Sequence, residues 1–268
     1  MNVREITEVV LSLNGEGRID PTVDQLYEGG WDQPVTGVVT TFMATVDVVR
    51  ETIRSGANFI ITHEPTYFNG RDRRDWLLKD EVYHRKQALI NDHHLAVWRY
   101  HDHAHMGNGD IIYNGLLDQL GWQKHLVTGR PDPHVYAIPP MSVEQLVAFF
   151  KEKLGMAVVR VVGRTDITCS RVGMLVGGGS LGLGDEVMPA RLMNDENIDC
   201  MVCGEITEWT LSAYVRDAAA LGFDKTMLIV GHERSEGPGM KGLAETLKPL
   251  LPGLPVAFLD AGEPFTYC

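Results

Sequence analysis

Residues 46–65 read VDVVRETIRSGANFIITHEP, and their order decides the fold. Val46, Val49 and Ile53 recur at helical spacing, which predicts a helix over residues 46–54. A short apolar run around Phe59, Ile60 and Ile61 follows, predicting a strand over residues 58–62 that ends at His63-Glu64-Pro65. Helix, strand and a polar cluster at the strand's end is the order of an α/β unit.

The same alternation runs along the whole chain. Strands are predicted over residues 37–42, 58–62, 95–100, 158–162, 171–176, 198–203, 226–230 and 255–259. Helices are predicted over residues 46–54, 75–91, 110–120, 143–154, 207–221 and 239–250. The implied fold class is α/β, with mainly parallel sheets covered by helices. Ser142 and Gln145 form a capping box before the helix at residue 143, each side chain satisfying an orphan backbone donor. Residues 128–133 (TGRPDP) are rich in turn formers and predict a boundary between lobes at 1–128 and 129–268.

Composition narrows the function. With 268 residues, 44% hydrophobic and 22% charged, the chain is an ordinary globular protein rather than a disordered, collagenous or disulfide-stapled one. Its 24 Lys+Arg against 36 Asp+Glu give a formal charge of −12, which opposes binding to nucleic-acid phosphates or anionic lipid. No apolar run reaches the roughly 18 residues a membrane helix needs. Residues 1–6 lack the basic-then-apolar layout of a signal peptide, so the expected location is cytoplasmic. Cys200 and Cys203 form a lone C-x-x-C within an apolar run, which predicts a buried strand; a redox or zinc pair is the alternative.

The chemistry gathers at strand ends. The predicted strands end at His63-Glu64, at His101-Asp102-His103-Ala104-His105, and at Gly231-His232. In open α/β sheets the carboxyl ends of strands converge on a ligand crevice. Imidazole and carboxylate donors together suit borderline divalent ions such as Zn, Fe or Mn, and six or more donors exceed the need of one tetrahedral ion. In an extended segment His101, His103 and His105 would share one side, whereas a turn would select among them. His232 and Glu236 lie four apart and share a face of a helical turn. His84, His93, His94, His125 and His134 fall in predicted helices or polar loops, which predicts surface or structural roles.

A second constellation competes. Gly178-Gly179-Ser180-Leu181-Gly182 fits the G-x-S-x-G pattern, with Asp199 and His232 downstream in the order a serine hydrolase uses. The glycine density of residues 177–184 makes such a match easy, and no P-loop lysine follows. A tight strand-to-helix connection is the expected role.

Residues 49–65 resemble a family stretch that ends in a strand and His-His-Pro. Residues 203–208 (CGEITE), with Gly231-His232 and Ser235-Glu236, resemble its second signature of Gly-Glu, Gly-His and Thr-Glu. On these residues the chain resembles the NGG-interacting-factor-three-like family of dinuclear-metal-centre hexamers, some of whose members carry a GTP cyclohydrolase type 2 label. The resemblance implies two related α/β lobes with two metal ions in the cleft between them, and a toroidal homo-hexamer. Carried over residue by residue, it implies metal ligands at His63, Glu64, His101, His105, His232 and Glu236. Glu64 stands where the family has a second histidine and His105 where it has an aspartate, so formal ligand charge is preserved. Met43 stands where relatives often carry an aspartate.

The expected function is a metal-dependent hydrolase acting on a small, phosphorylated or nucleotide-like substrate through a metal-activated water. Glu205 and Glu208 are the expected proton carriers, and Arg99 and Arg234 the expected partners of a substrate anion. The alternatives are a non-catalytic metal-binding ring assembly and a serine hydrolase using Ser180. No nucleic-acid or membrane partner is expected.

Overall fold

The structure, a computed structural model, describes residues 1–15, 17–106, 109–127 and 134–268. The turn-rich stretch 128–133, on which the expected lobe boundary falls, lies outside them, as does the side chain of His134. In chain order the first elements are α1 (Val3–Ser12), β1 (Leu26–Glu28), β2 (Val38–Thr41), α2 (Val46–Ser55), β3 (Phe59–Thr62), α3 (Glu81–Asp92), β4 (Ala96–Arg99), α4 (Asp102–Met106) and α5 (Ile111–Leu120). There follow β5 (His134–Ser142), α6 (Val143–Leu154), β6 (Arg160–Gly163), β7 (Thr168–Leu175), α7 (Met188–Asp195), β8 (Cys200–Cys203), α8 (Leu211–Ala220), β9 (Thr226–Ile229), α9 (His232–Leu250) and β10 (Val256–Phe258). None of the described helices is long and apolar enough to cross a membrane.

The chain divides into two compact units, residues 1–115 with 237–262, and residues 116–236 with 263–268. The first unit holds a sheet of order β1-β4-β3-β2-β10, in which β10, β2, β3 and β4 run parallel and β1 antiparallel. The second holds a sheet of order β5-β7-β8-β9-β6, with β7, β8 and β9 parallel and the edge strands β5 and β6 antiparallel. Five of the six inner strands, β2, β3, β4, β8 and β9, are buried at every position, as sheets covered on both faces require, while β7 is buried throughout only over its last four residues.

Each core is built from those strands and the helices that follow them. Ile60 and Val97 pack with Val49 of α2 and Ile90 of α3, while Met201, Met227 and Ile229 pack with Met193 of α7 and Val215 of α8. Ser142 and Gln145 make the expected capping box on α6. The predicted helix over residues 75–91 begins only at Glu81, because the Asp80 carboxylate caps Tyr83 N–H there. The last long helix starts at His232 rather than 239, continuing through Pro238. Gly239 allows it close to α5: a Cβ on Gly115 would lie 2.6 Å from the Gly239 Cα.

Registers decide what the strand ends bring together. Thr62 stands beside Arg99, so β3 and β4 end level and His63 emerges next to Tyr100 and His101. In the second sheet Leu175 stands beside Cys203, and Cys203 beside Ile229. That alignment sets Gly177, Glu205 and His232 at one edge, with Glu205 N–H donating to Gly177 O at 2.7 Å. Cys200 and Cys203 lie within buried β8 with their thiols free. Burial pushes the Cys203 thiol up to about 12, which leaves it protonated and inert at neutral pH.

Candidate metal centre

In the first unit His63, His101 and His105 each present a donor atom, and the three atoms lie within 4.8 Å of one another. The His63 and His101 rings stack at 4.7 Å, and His105 stands edge-on to both at 5.0 and 5.1 Å. Burial, then the adjacent His63 imidazole, holds His101 below the usual histidine value, which favours the neutral form a metal needs. Glu64 Oε1 lies 3.6 Å from His101 Nε2.

Each imidazole is oriented from behind. His63 Nδ1 donates to Tyr100 O at 3.0 Å, His101 Nδ1 to Asp102 Oδ1 at 3.0 Å, and His105 Nδ1 to Asp110 Oδ2 at 2.9 Å. A carbonyl or ionised carboxylate only accepts, so the proton sits on Nδ1 and the lone pair on Nε2. This is how ligating histidines are held in metal sites. Asp110 also caps α5 through the amides of Ile112 and Tyr113, both at 2.9 Å, which fixes its carboxylate.

The three-histidine segment is sorted by α4. His105 N–H donates to His101 O at 3.2 Å, so these two lie one helical turn apart while His103 faces the other way. His103 is structural: Nδ1 donates to Asp24 Oδ2 at 2.7 Å and Nε2 accepts from Ile19 N–H at 3.0 Å. Both ring nitrogens are thereby used.

Asp24 escapes the sequence reading altogether. Its carboxylate, 1% exposed, accepts from the backbone amides of His101, Asp102 and His103 at 2.7, 2.8 and 2.9 Å. It thus anchors the start of α4, where the helix leaves its amides unsatisfied and favours negative charge. Asp24→Asn is expected to lower the unfolding free energy by about 2–4 kcal/mol, because a neutral amide accepts fewer bonds and brings an unmatched donor. Urea denaturation measures it.

In the second unit His232 and Glu236 occupy the first turns of α9. His232 Nδ1 lies 3.0 Å from Glu205 Oε1, and its Nε2 lies 3.0 Å from Glu236 Oε2. Carboxylates stand against both His232 nitrogens, so its acceptors do not select one tautomer as they do for the other three. Glu236 is buried while Glu205 is exposed. Ser235 accepts from Gly177 N–H at 2.9 Å and donates to His232 O at 2.8 Å, tying the helix start to the β7 end. Gly177 has φ +51°, and a Cβ there would overlap the Glu236 carboxylate and come within 2.6 Å of His232 Nε2. The glycine-rich turn thus makes room for the acid and imidazole, rather than exposing a nucleophile.

Ser180 is accordingly not a catalytic serine. It is 2% exposed and donates to the Glu205 carbonyl. Asp199 turns to the other end of β8, accepting from the amides of Ser170 and Arg171 at 2.9 Å each, so no triad assembles. Ser180→Ala is expected to lower stability by about 1 kcal/mol and to leave metal content unchanged. Thermal unfolding and elemental analysis check the two parts.

The expected anion partners are also committed elsewhere. Arg99, 3% exposed, donates from Nε to His63 O at 3.1 Å and from Nη1 to Gly70 O at 2.7 Å, with Glu64 Oε2 at 3.5 Å from Nη2. Arg234 Nε lies 3.2 Å from Glu233 Oε2 and 3.8 Å from Glu263 Oε2. Glu208 is exposed and lines a cavity with Arg160 and Arg216. His84, His93 and His94 are exposed, as expected.

A family model described as Duf34/NIF3 (NGG1p interacting factor 3) matches residues 2–264. A Clostridium perfringens protein named GTP cyclohydrolase 1 type 2 homolog is 23% identical over 257 residues, 90% of each chain. A Chlamydia pneumoniae protein of the same name is 22% identical over 247 residues, again 90% of each. A hypothetical protein of Staphylococcus aureus aligns with a TM-score of 0.74 at 19% identity, over 100% of this chain and 99% of its own. A Bacillus cereus protein related to NIF3 aligns with a TM-score of 0.73 at 17% identity over the same shares.

Proposed function

The chain belongs to the Duf34/NIF3 family, and from that membership and its donor sets we propose that it binds two divalent metal ions and works as a hydrolase of a small molecule. The observation that carries the proposal is the common orientation of three clustered imidazoles: His63, His101 and His105 each set Nδ1 against a fixed acceptor, which places the lone pair on Nε2, and their donor atoms lie within 4.8 Å of one another. His232, Glu64 and Glu236 complete the six ligands, and the charges of the two acids offset part of the charge of Zn, Fe or Mn ions.

Bound divalent ions supply an acidified water and a polarised scissile group. The chain's own residues supply the rest. Glu205 stands 3.0 Å from His232 Nδ1, and it and Glu208 are the acids we assign to moving protons to and from the reacting group. Asp102 and Asp110 hold His101 and His105 in orientation from behind. A cytoplasmic location and a homo-hexamer belong to the same proposal, the latter on the family resemblance alone.

The test is a turnover screen of phosphoesters, cyclic amidines and GTP, with Mn, Fe or Zn added or withheld. GTP is included because curated relatives carry the cyclohydrolase name. Metal-dependent turnover of one class is the expected result. Bound metal with no turnover in any arm would leave the alternative, a non-catalytic metal-binding assembly.

A further inference from the structure

Beside the first donor set, residues of the 21–27 loop, Arg71 and Asp102 line an open cavity of about 420 Å³. One wall is Asp102, the carboxylate that orients His101; its Oδ2 accepts from Thr22 Oγ1 and Val23 N–H, both at 2.9 Å. Tyr27 and Val23 give the cavity apolar surface, and Gln25 lines it too. The opposing charge is Arg71.

Arg71 differs from Arg99 and Arg74 of the same unit. Arg99 is buried in backbone bonds, and Arg74 pairs with Glu28 at 2.9 Å. Among the described residues the Arg71 guanidinium makes no ion pair, and the residue is exposed. Its backbone is nevertheless fixed. Asn69 Oδ1 accepts from the amides of Arg71 and Arg73 at 3.3 and 3.0 Å. The neighbouring Gly70 carbonyl accepts from Arg99, the same guanidinium that holds the His63 carbonyl. One buried arginine therefore sets the base of Arg71 and the backbone of a candidate metal ligand together.

We propose that this cavity binds the oxyanion of a small substrate, a phosphate monoester or a carboxylate on a compact apolar body, with Arg71 as the anion's partner. A fork of guanidinium donors matches either oxyanion. The anion site itself stands on the cavity and on Arg71; calling its occupant the substrate rests on the metal-hydrolase proposal. Arg71 is then the residue that selects anionic substrates.

Calorimetric titration of the full chain with inorganic phosphate, phenyl phosphate and benzoate tests this, using wild type, Arg71→Gln and Arg71→Lys. Saturable binding of at least one probe to wild type is expected, weakened about 10- to 100-fold in Arg71→Gln and partly restored in Arg71→Lys. Tighter binding of phenyl phosphate than of benzoate would assign a phosphorylated substrate, and the reverse a carboxylated one. Equal affinity in wild type and Arg71→Gln overturns the proposal, because an anion caught by bound metal would behave that way. Absence of saturation in wild type at millimolar probe also overturns it. Elemental analysis of the same samples separates the two proposals: Arg71-dependent binding to metal-free protein supports the anion site even if the metal centre fails.

Discussion

Replacing His101 by alanine is expected to cut metal affinity by at least about 100-fold and to abolish metal-dependent activity, while leaving the fold intact. Loss of even an outer partner of a ligand typically weakens metal binding 10- to 100-fold, and loss of the ligand itself removes more. The fold survives because the structural task at this position falls to the backbone: the His101 N–H bonds Asp24, and that bond does not involve the imidazole. The side chain is 30% exposed, so no sealed cavity is left behind. Circular dichroism should overlay wild type and elemental analysis should not. Full metal content in the variant would remove His101 from the ligand set.

Gly177→Ala is expected to displace the acid and the imidazole of the second unit. The new Cβ would be forced into the Glu236 carboxylate, with His232 Nε2 2.6 Å away. Glu236 is itself buried, so its carboxylate has little room to retreat. The left-handed backbone at φ +51° adds about 1–2 kcal/mol for any residue with a Cβ. Metal held by His232 and Glu236 should be lost and the melting temperature should fall. Gly178→Ala is the control, since a Cβ there would meet only Leu181 Cδ1 at 3.9 Å. Equal metal content in both variants would show that the glycine-rich turn does not shape the ligand set.

The strand-then-histidine pattern was legible because a parallel sheet writes its inner strands as short apolar runs and leaves its polar residues at their ends. Residues 58–62, 95–100 and 226–230 each announce themselves this way, and the register of β3 with β4 brings His63 beside His101. The short edge strand β1 has only three residues and no periodicity to detect. The return of β10 to pair with β2 is equally invisible, since nothing local in residues 255–259 states a partner more than 200 positions away.

The histidines and acids of the candidate site were legible in the sequence, and the groups that support them were not. Asp24 bonds amides 77 to 79 positions downstream, a relation that no spacing rule carries. His101 and His105 separated from His103 once the segment proved helical, because the choice between period 2 and period 3.6 decides which side chains share a face. Arg99 and Arg234 misled for a related reason: a formal charge in the sequence does not tell whether a guanidinium meets solvent or is already spent on carbonyls and carboxylates. Ser180 shows the same limit, since G-x-S-x-G records glycine spacing and not whether the hydroxyl is buried.

Metal content per chain, measured on protein purified without an affinity tag and then reconstituted with Mn, Fe or Zn, tests the central claim most directly. Two bound ions in the wild type are predicted, with ions lost both when His101 and when His232 is replaced. A wild type that takes up no divalent metal, or variants that keep all of it, would contradict the assignment of these histidines and acids as ligands.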